Sequence, residues 1–147
     1  MSMKIKSIRT SLVIYYGILQ SFHLVALMWA GVHYYSTGRI GFPAPAVSEW
    51  SPDAARFLIG TAAMDILFIP FAWGFVWTML KHHPLERNME IIALSGSLYS
   101  AGLFLIGTLP SGAWQVHPVS YGILVILFAP VVLLTMIDVQ LFSNERK

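Results

Sequence analysis

The sequence predicts an all-α fold: a polytopic membrane protein built as a four-transmembrane-helix bundle with an internal hydrophobic cavity. Three observations carry that expectation. Of the 147 residues, 56% are hydrophobic and only 11% charged, and the mean hydropathy of +0.68 lies outside the range of ordinary soluble domains. Four apolar stretches, 12–35, 55–80, 89–109 and 119–142, are each long enough to cross about 30 Å of hydrocarbon at about 1.5 Å per residue. They take up nearly the whole chain, so one domain over residues 1–147 is expected, with no separate soluble unit.

The first stretch is too long, and too polar at its centre, for a cleaved signal peptide, and it lacks a small-residue cleavage site. The connection 36–54 carries Gly38, Gly41, Pro43, Pro45 and Pro52, which predicts an irregular loop. Phe42, Val47 and Trp50 suit that loop to lying on the mouth of the bundle. The next connection, Lys81 to Asn88, is a short charged turn in which Pro84 is expected to end the second helix. The third connection, 110–118, is nearly uncharged and carries Trp114 as an interfacial anchor. In the fourth stretch Asp138 sits close enough to the end to reach the headgroups.

Charge predicts the orientation. Lys4, Lys6 and Arg9, then Lys81 and Arg87, then Arg146 and Lys147 fall on one side, against Arg39 and Arg56 on the other. Both termini are therefore expected in the cytoplasm, with the endoplasmic reticulum membrane as the location in a eukaryote. A net charge of +2 without a basic run gives no reason to expect nucleic-acid binding. The absence of cysteine excludes a disulfide framework and thiol chemistry.

Function is sought where ionisable groups fall at bilayer depth, because each costs on the order of 3 kcal/mol there. Two do: His23 near the middle of the first stretch and Asp65 near the middle of the second. Tyr16, Gln20, His23 and Leu27 share one helix face, which is expected to turn inward. Thr61, Asp65, Phe68 and Ala72 share a face of the second helix, and Pro70 favours a kink that opens space beside the acid. On the third helix Tyr99 offers a hydroxyl, while Gly96, Ser97 and Ser100 let neighbouring helices approach closely. Counted from the inner ends, the heights of His23 and Asp65 differ by about 6 Å, a gap that a water or a ligand can bridge.

Phe22-His23-Leu24-Val25, Tyr34-Tyr35, Met64-Asp65, Leu80-Lys81-His82-His83-Pro84-Leu85 and His117-Pro118, taken in order with Tyr99, Pro130 and Asp138, give the chain a likeness across all four helices. In these strings it resembles the EXPERA family, which includes an emopamil-binding sterol isomerase and the sigma-2 receptor. The resemblance implies a four-helix core around a cavity for a sterol or a cationic amphiphile. His23 stands where the isomerase has a histidine, and Asp65 where it has a catalytic glutamate. Its second acid falls at Leu27, its third-helix aspartate at Ala101, and its asparagine and tryptophan at Gly122 and Val125.

The chemistry expected of such a pair is acid–base rearrangement of a double bond in a sterol-like or terpenoid lipid, by an isomerase or a cyclase. An apolar interior favours the neutral forms of both groups, Asp65 as proton donor and His23 as acceptor. Tyr16, Gln20, Trp29, Thr61, Phe68, Trp73, Tyr99 and Tyr121 are the candidate ligand-binding residues, and Trp29, Trp73, Trp77, Phe68 or Tyr99 offer faces for a carbocation. The other function class is a non-catalytic binding or trafficking protein for sterols or cationic amphiphiles. No cofactor is implied. The five histidines offer no converging set of three or four, so no metal is expected. The expected partners are a hydrophobic small molecule and membrane lipid. Small residues on the third helix also leave a homodimer open.

Overall fold

A computed structural model of the chain describes residues 3–39, 52–109 and 113–145. The proline- and glycine-rich part of the first connection, with Phe42, Val47 and Trp50, lies outside the described residues. The elements are α1 (Met3–Thr37), α2 (Pro52–Leu80), α3 (Glu86–Thr108), the short α4 (Ala113–Val116) and α5 (Pro118–Glu145). Four of these helices are long and apolar enough to cross a membrane.

The long helices run past their apolar limits. Helix α1 begins at Met3 rather than near residue 12 and takes in Lys4, Lys6 and Arg9. Nothing in that basic segment disfavours helix, since Lys, Ile and Arg are good or neutral helix formers. Ser36 and Thr37 extend α1 at its other end, their hydroxyls donating back to the carbonyl of His33. Helix α2 opens on Pro52, whose missing N–H costs nothing at a first helical position. Pro70 and Pro130 both sit inside continuous helices. Helix α2 stops at Leu80, before Pro84, and His82 turns the chain with a left-handed φ of 49°. The third connection contains the helical turn α4, which its glycine and prolines did not foretell.

Helix α3 packs chiefly on α2, and α1 packs on both α2 and α5, while α3 and α5 scarcely touch. Val13, Tyr16, Ala72, Phe75, Ala93, Val131 and Leu134 form the buried apolar centre shared by the four long helices. Close approach depends on glycine: a Cβ on Gly17 would stand 2.8 Å from Val76, and one on Gly96 would stand 2.6 Å from the Phe68 ring. Large apolar side chains such as Phe22, Val25, Leu67 and Ile126 point outward. Polar ones such as Gln20, Ser97, Glu90 and Asp138 are buried. Such a distribution suits a hydrocarbon solvent.

At the end where α1 begins and α5 finishes, Arg9 joins three helices. Its Nε donates to Asp138 Oδ1 at 2.6 Å, one terminal nitrogen to Glu86 Oε1 at 2.8 Å and the other to Glu90 Oε2 at 3.0 Å. Arg87 donates to the other oxygen of Glu90 at 2.6 Å. Asp138 does not project freely from the bundle end: it is 4% exposed and held inside the bundle by Arg9. The guanidinium offers hydrogen bonds in several directions at once, so it can serve three carboxylates. Replacing Arg9 with Met is expected to lower stability by about 3 kcal/mol or more, because it strands buried acids. Reversible unfolding in mixed detergent micelles measures the loss.

Candidate functional site

Asp65 lies midway along α2 and reaches both neighbours. Ser100 on α3 donates a hydrogen bond to its Oδ1, and His23 Nε2 on α1 stands 3.8 Å from its Oδ2. The two ionisable groups thus face each other directly, without the intervening molecule that their axial offset suggested. The Asp65 side chain is 16% exposed and that of His23 38%, so the acid is the more enclosed member. Ser100, expected only to allow close packing, proves to be the third member of the cluster. The sequence marked it only as a small polar residue next to Tyr99.

Beside this cluster lies a half-open cleft of about 420 Å³ between α2 and α3. It is lined by Thr61, Phe68, Tyr99 and Ser100, together with Met64, Phe57 and others from the same two helices. A volume of this order falls within the usual range of small-molecule pockets. The cleft opens sideways between the helices instead of lying enclosed at the bundle axis. Ser100 belongs to both the cluster and the cleft, whereas Asp65 and His23 are not among the residues that line it.

The remaining candidates sit elsewhere. Tyr16 shares a hydrogen bond of 2.7 Å with Ser97 and donates to the carbonyl of Ala93 at 3.0 Å. Gln20 donates to the same Ser97 at 3.1 Å. Both are buried and tie α1 to α3. Polar contacts of this kind inside membrane bundles average about 0.6 kcal/mol each. Trp29 is stacked on His33 near the far end of α1, with centroids 5.3 Å apart, and is about half exposed. The Trp73 indole donates to Ser21 at 3.1 Å. Tyr121 is fully buried, stacked on Trp114 at 4.9 Å and on Phe104 at 6.0 Å. Trp114 also donates to Thr108 at 2.9 Å. The interfacial tryptophan of the sequence reading therefore plugs the end of the bundle as part of an aromatic stack. Thr61, Phe68 and Tyr99 are the ligand-binding candidates that come together at one cleft.

Among the described residues no group of three or more histidines and acids is arranged to hold a metal ion. Comparison with protein-family models, curated proteins and solved structures gives no match to this chain.

The Phe68 ring rests against Gly96 and also forms part of the cleft wall, so the two properties are linked. Gly96→Ala is expected to push the ring aside at a cost of about 1–3 kcal/mol. It should also change the quenching of a hydrophobic fluorescent probe bound in the cleft, whereas Gly102→Ala, where a Cβ meets nothing within 4 Å, should leave the quenching unchanged and cost no stability.

Proposed function

We propose that the chain is an integral membrane protein of EXPERA type, an isomerase or cyclase that takes a sterol-like or terpenoid lipid sideways into the cleft between α2 and α3. The observation that carries this reading is the row His23, Asp65, Ser100, in which an imidazole and a hydroxyl flank one enclosed carboxyl group and the hydroxyl of Ser100 connects it to the cleft.

In the proposed reaction Ser100 is the group that meets the substrate. With Asp65 protonated, the bond between Asp65 and Ser100 runs the other way, from the carboxyl O–H to Ser100 Oγ. The Ser100 hydroxyl, turned to the cleft, gives its proton to one alkene carbon while Asp65 replaces that proton, leaving a carbocation and a carboxylate. The faces of Phe68 and Tyr99 shield the cation. A neighbouring carbon then loses a proton along the same path, back to Asp65, and the double bond has moved. No proton is gained or lost overall. If a second double bond attacks the cation first, a ring closes and the same proton loss ends the reaction. His23, 3.8 Å from the far oxygen of Asp65, steadies the carboxylate in between. It can also take its proton.

A non-catalytic binding protein for sterols or cationic amphiphiles is the second reading. It is favoured by Leu27 and Ala101 standing where the resemblance expects acids, and by a cleft that neither His23 nor Asp65 lines.

The test is incubation of the purified protein in deuterated water with a ring-unsaturated sterol and, separately, an acyclic diterpenoid alcohol. A turning-over isomerase or cyclase inserts one solvent deuteron per product molecule, detected by mass spectrometry. Asp65→Asn and Ser100→Ala are each expected to slow the reaction about a hundredfold or more while leaving helicity unchanged. Binding without deuterium incorporation supports the second reading. Turnover unchanged in Asp65→Asn refutes the assigned acid.

A further inference from the structure

The cleft between α2 and α3 has a floor and a rim at different depths, and these limit what it can hold. Its floor is Phe68, whose ring rests on Gly96 near the middle of α3. Its rim is Phe57, whose ring rests on Gly107, one residue before α3 finishes. The rim therefore lies at the end of the bundle opposite the Arg9 cluster. From residue 57 to residue 68 the helix rises about 16 Å. Counted along α3, Ser100 stands about 6 Å from the floor and about 10 Å from the rim.

At about 30 Å³ per non-hydrogen atom, as in liquid water, a cleft of about 420 Å³ holds about 14 such atoms. A sterol has about 28, so half of it would remain outside. Three isoprene units have fifteen carbons, and their extended chain is about 15 Å long at about 1.3 Å per main-chain carbon. Volume and depth thus select the same length of chain. Depth also decides which end enters first. The floor lies at mid-span between Phe68 and Met64, where an alcohol or a phosphate would be stripped of water. The Thr61 hydroxyl in the wall is already spent on the carbonyl of Leu58, and Ser100 is hydrogen-bonded to Asp65. A polar head therefore stays at the rim, and the hydrocarbon tail is what reaches Ser100.

We infer that the substrate is an acyclic isoprenoid of three isoprene units, closed into a ring by protonation of the double bond at its tail. The inference rests on the acid–base reading of this cleft and narrows it to one substrate class and one end of that substrate. Ser100 adds a proton to the CH carbon of the terminal dimethyl alkene, and Asp65 replaces that proton. The positive charge falls on the carbon bearing two methyl groups, between the faces of Phe68 and Tyr99. The next double bond along the chain gives its electron pair to that carbon, which closes a six-membered ring and passes the charge to a methyl-bearing ring carbon. A proton lost from a neighbouring carbon returns through Ser100 to Asp65 and leaves a new double bond. The product is an isomer of the substrate with one ring more and one double bond fewer. The open side of the cleft gives the tail room to curl.

The experiment incubates the full chain, purified in detergent, in deuterated water with five probes. These are farnesol, its shorter and longer homologues geraniol and geranylgeraniol, a farnesol whose tail double bond has been reduced, and a ring-unsaturated sterol. Mass spectrometry and NMR read the label. Farnesol is expected to turn over about tenfold or more faster than either homologue, because they place the tail short of Ser100 or leave it no room. Its deuteron should sit on the ring carbon beside the one bearing two methyl groups, and the tail-reduced farnesol should take none. A Cβ on Gly60 meets nothing within 4 Å, and Gly60 lines the cleft. Gly60→Leu therefore fills open space above Ser100 and should slow farnesol turnover about tenfold or more with helicity unchanged. Equal turnover of geraniol or geranylgeraniol, label in the tail-reduced farnesol, or unchanged turnover in Gly60→Leu overturns the inference. Label in the sterol but in none of the isoprenoids refutes the substrate class and leaves the acid–base reading standing. Label in no probe refutes both.

Discussion

The grip of Arg9 on Glu86, Glu90 and Asp138 is the constraint on which the rest of the bundle depends. Helices α3 and α5 have almost no packing of their own to share. What holds their ends in register is a guanidinium supplied by α1, with Arg87 completing the balance on Glu90. Charges in such a place are tolerated because each is met by a short, charge-assisted hydrogen bond. An apolar substitute of equal volume would cost less desolvation. It would not fix the angle at which three helices meet.

With that end clamped, the polar contacts higher in the bundle fall into place. Tyr16 and Gln20 bring α1 onto Ser97 of α3. Tyr15 donates to the carbonyl of Leu127, in the turn before Pro130, and so holds α5 on α1. Asp65 then lies between His23 and Ser100, an acid with one neighbour on each side. The far end is closed by apolar means, through the stack of Phe104, Tyr121 and Trp114. The bundle is thus ionic at one end, hydrogen-bonded in the middle and aromatic at the other.

Much of the fold was legible in the sequence because a bilayer imposes a length and a polarity that a single chain displays openly. The four helices follow from hydropathy, and the similar depth of His23 and Asp65 from counting residues; their approach to 3.8 Å does not, since the count left a gap between them. What escaped is what depends on partners far away in sequence. Asp138 looks like an interfacial residue until Arg9, on another helix, is known to reach it. Ser100 looks like a spacer until α2 and α3 are seen to place it on Asp65. Tyr16 and Gln20 share the polar face of His23, and a face alone does not say whether its polar groups meet a ligand or a neighbouring helix. The third connection misled for a different reason: α4 is a single turn of four residues, too short for hydrophobic periodicity to register.

The order in which the helices pack also bears on how the molecule is assembled. Helices α2 and α3 are joined by a tight turn and pack extensively on each other, so they can pair as soon as both are made. Helix α5 rests chiefly on α1, the first helix of the chain. Until α5 is made, the flank of α1 that it covers lacks its partner, and of the three carboxylates that Arg9 holds in the folded chain only the two on α3 precede it in synthesis.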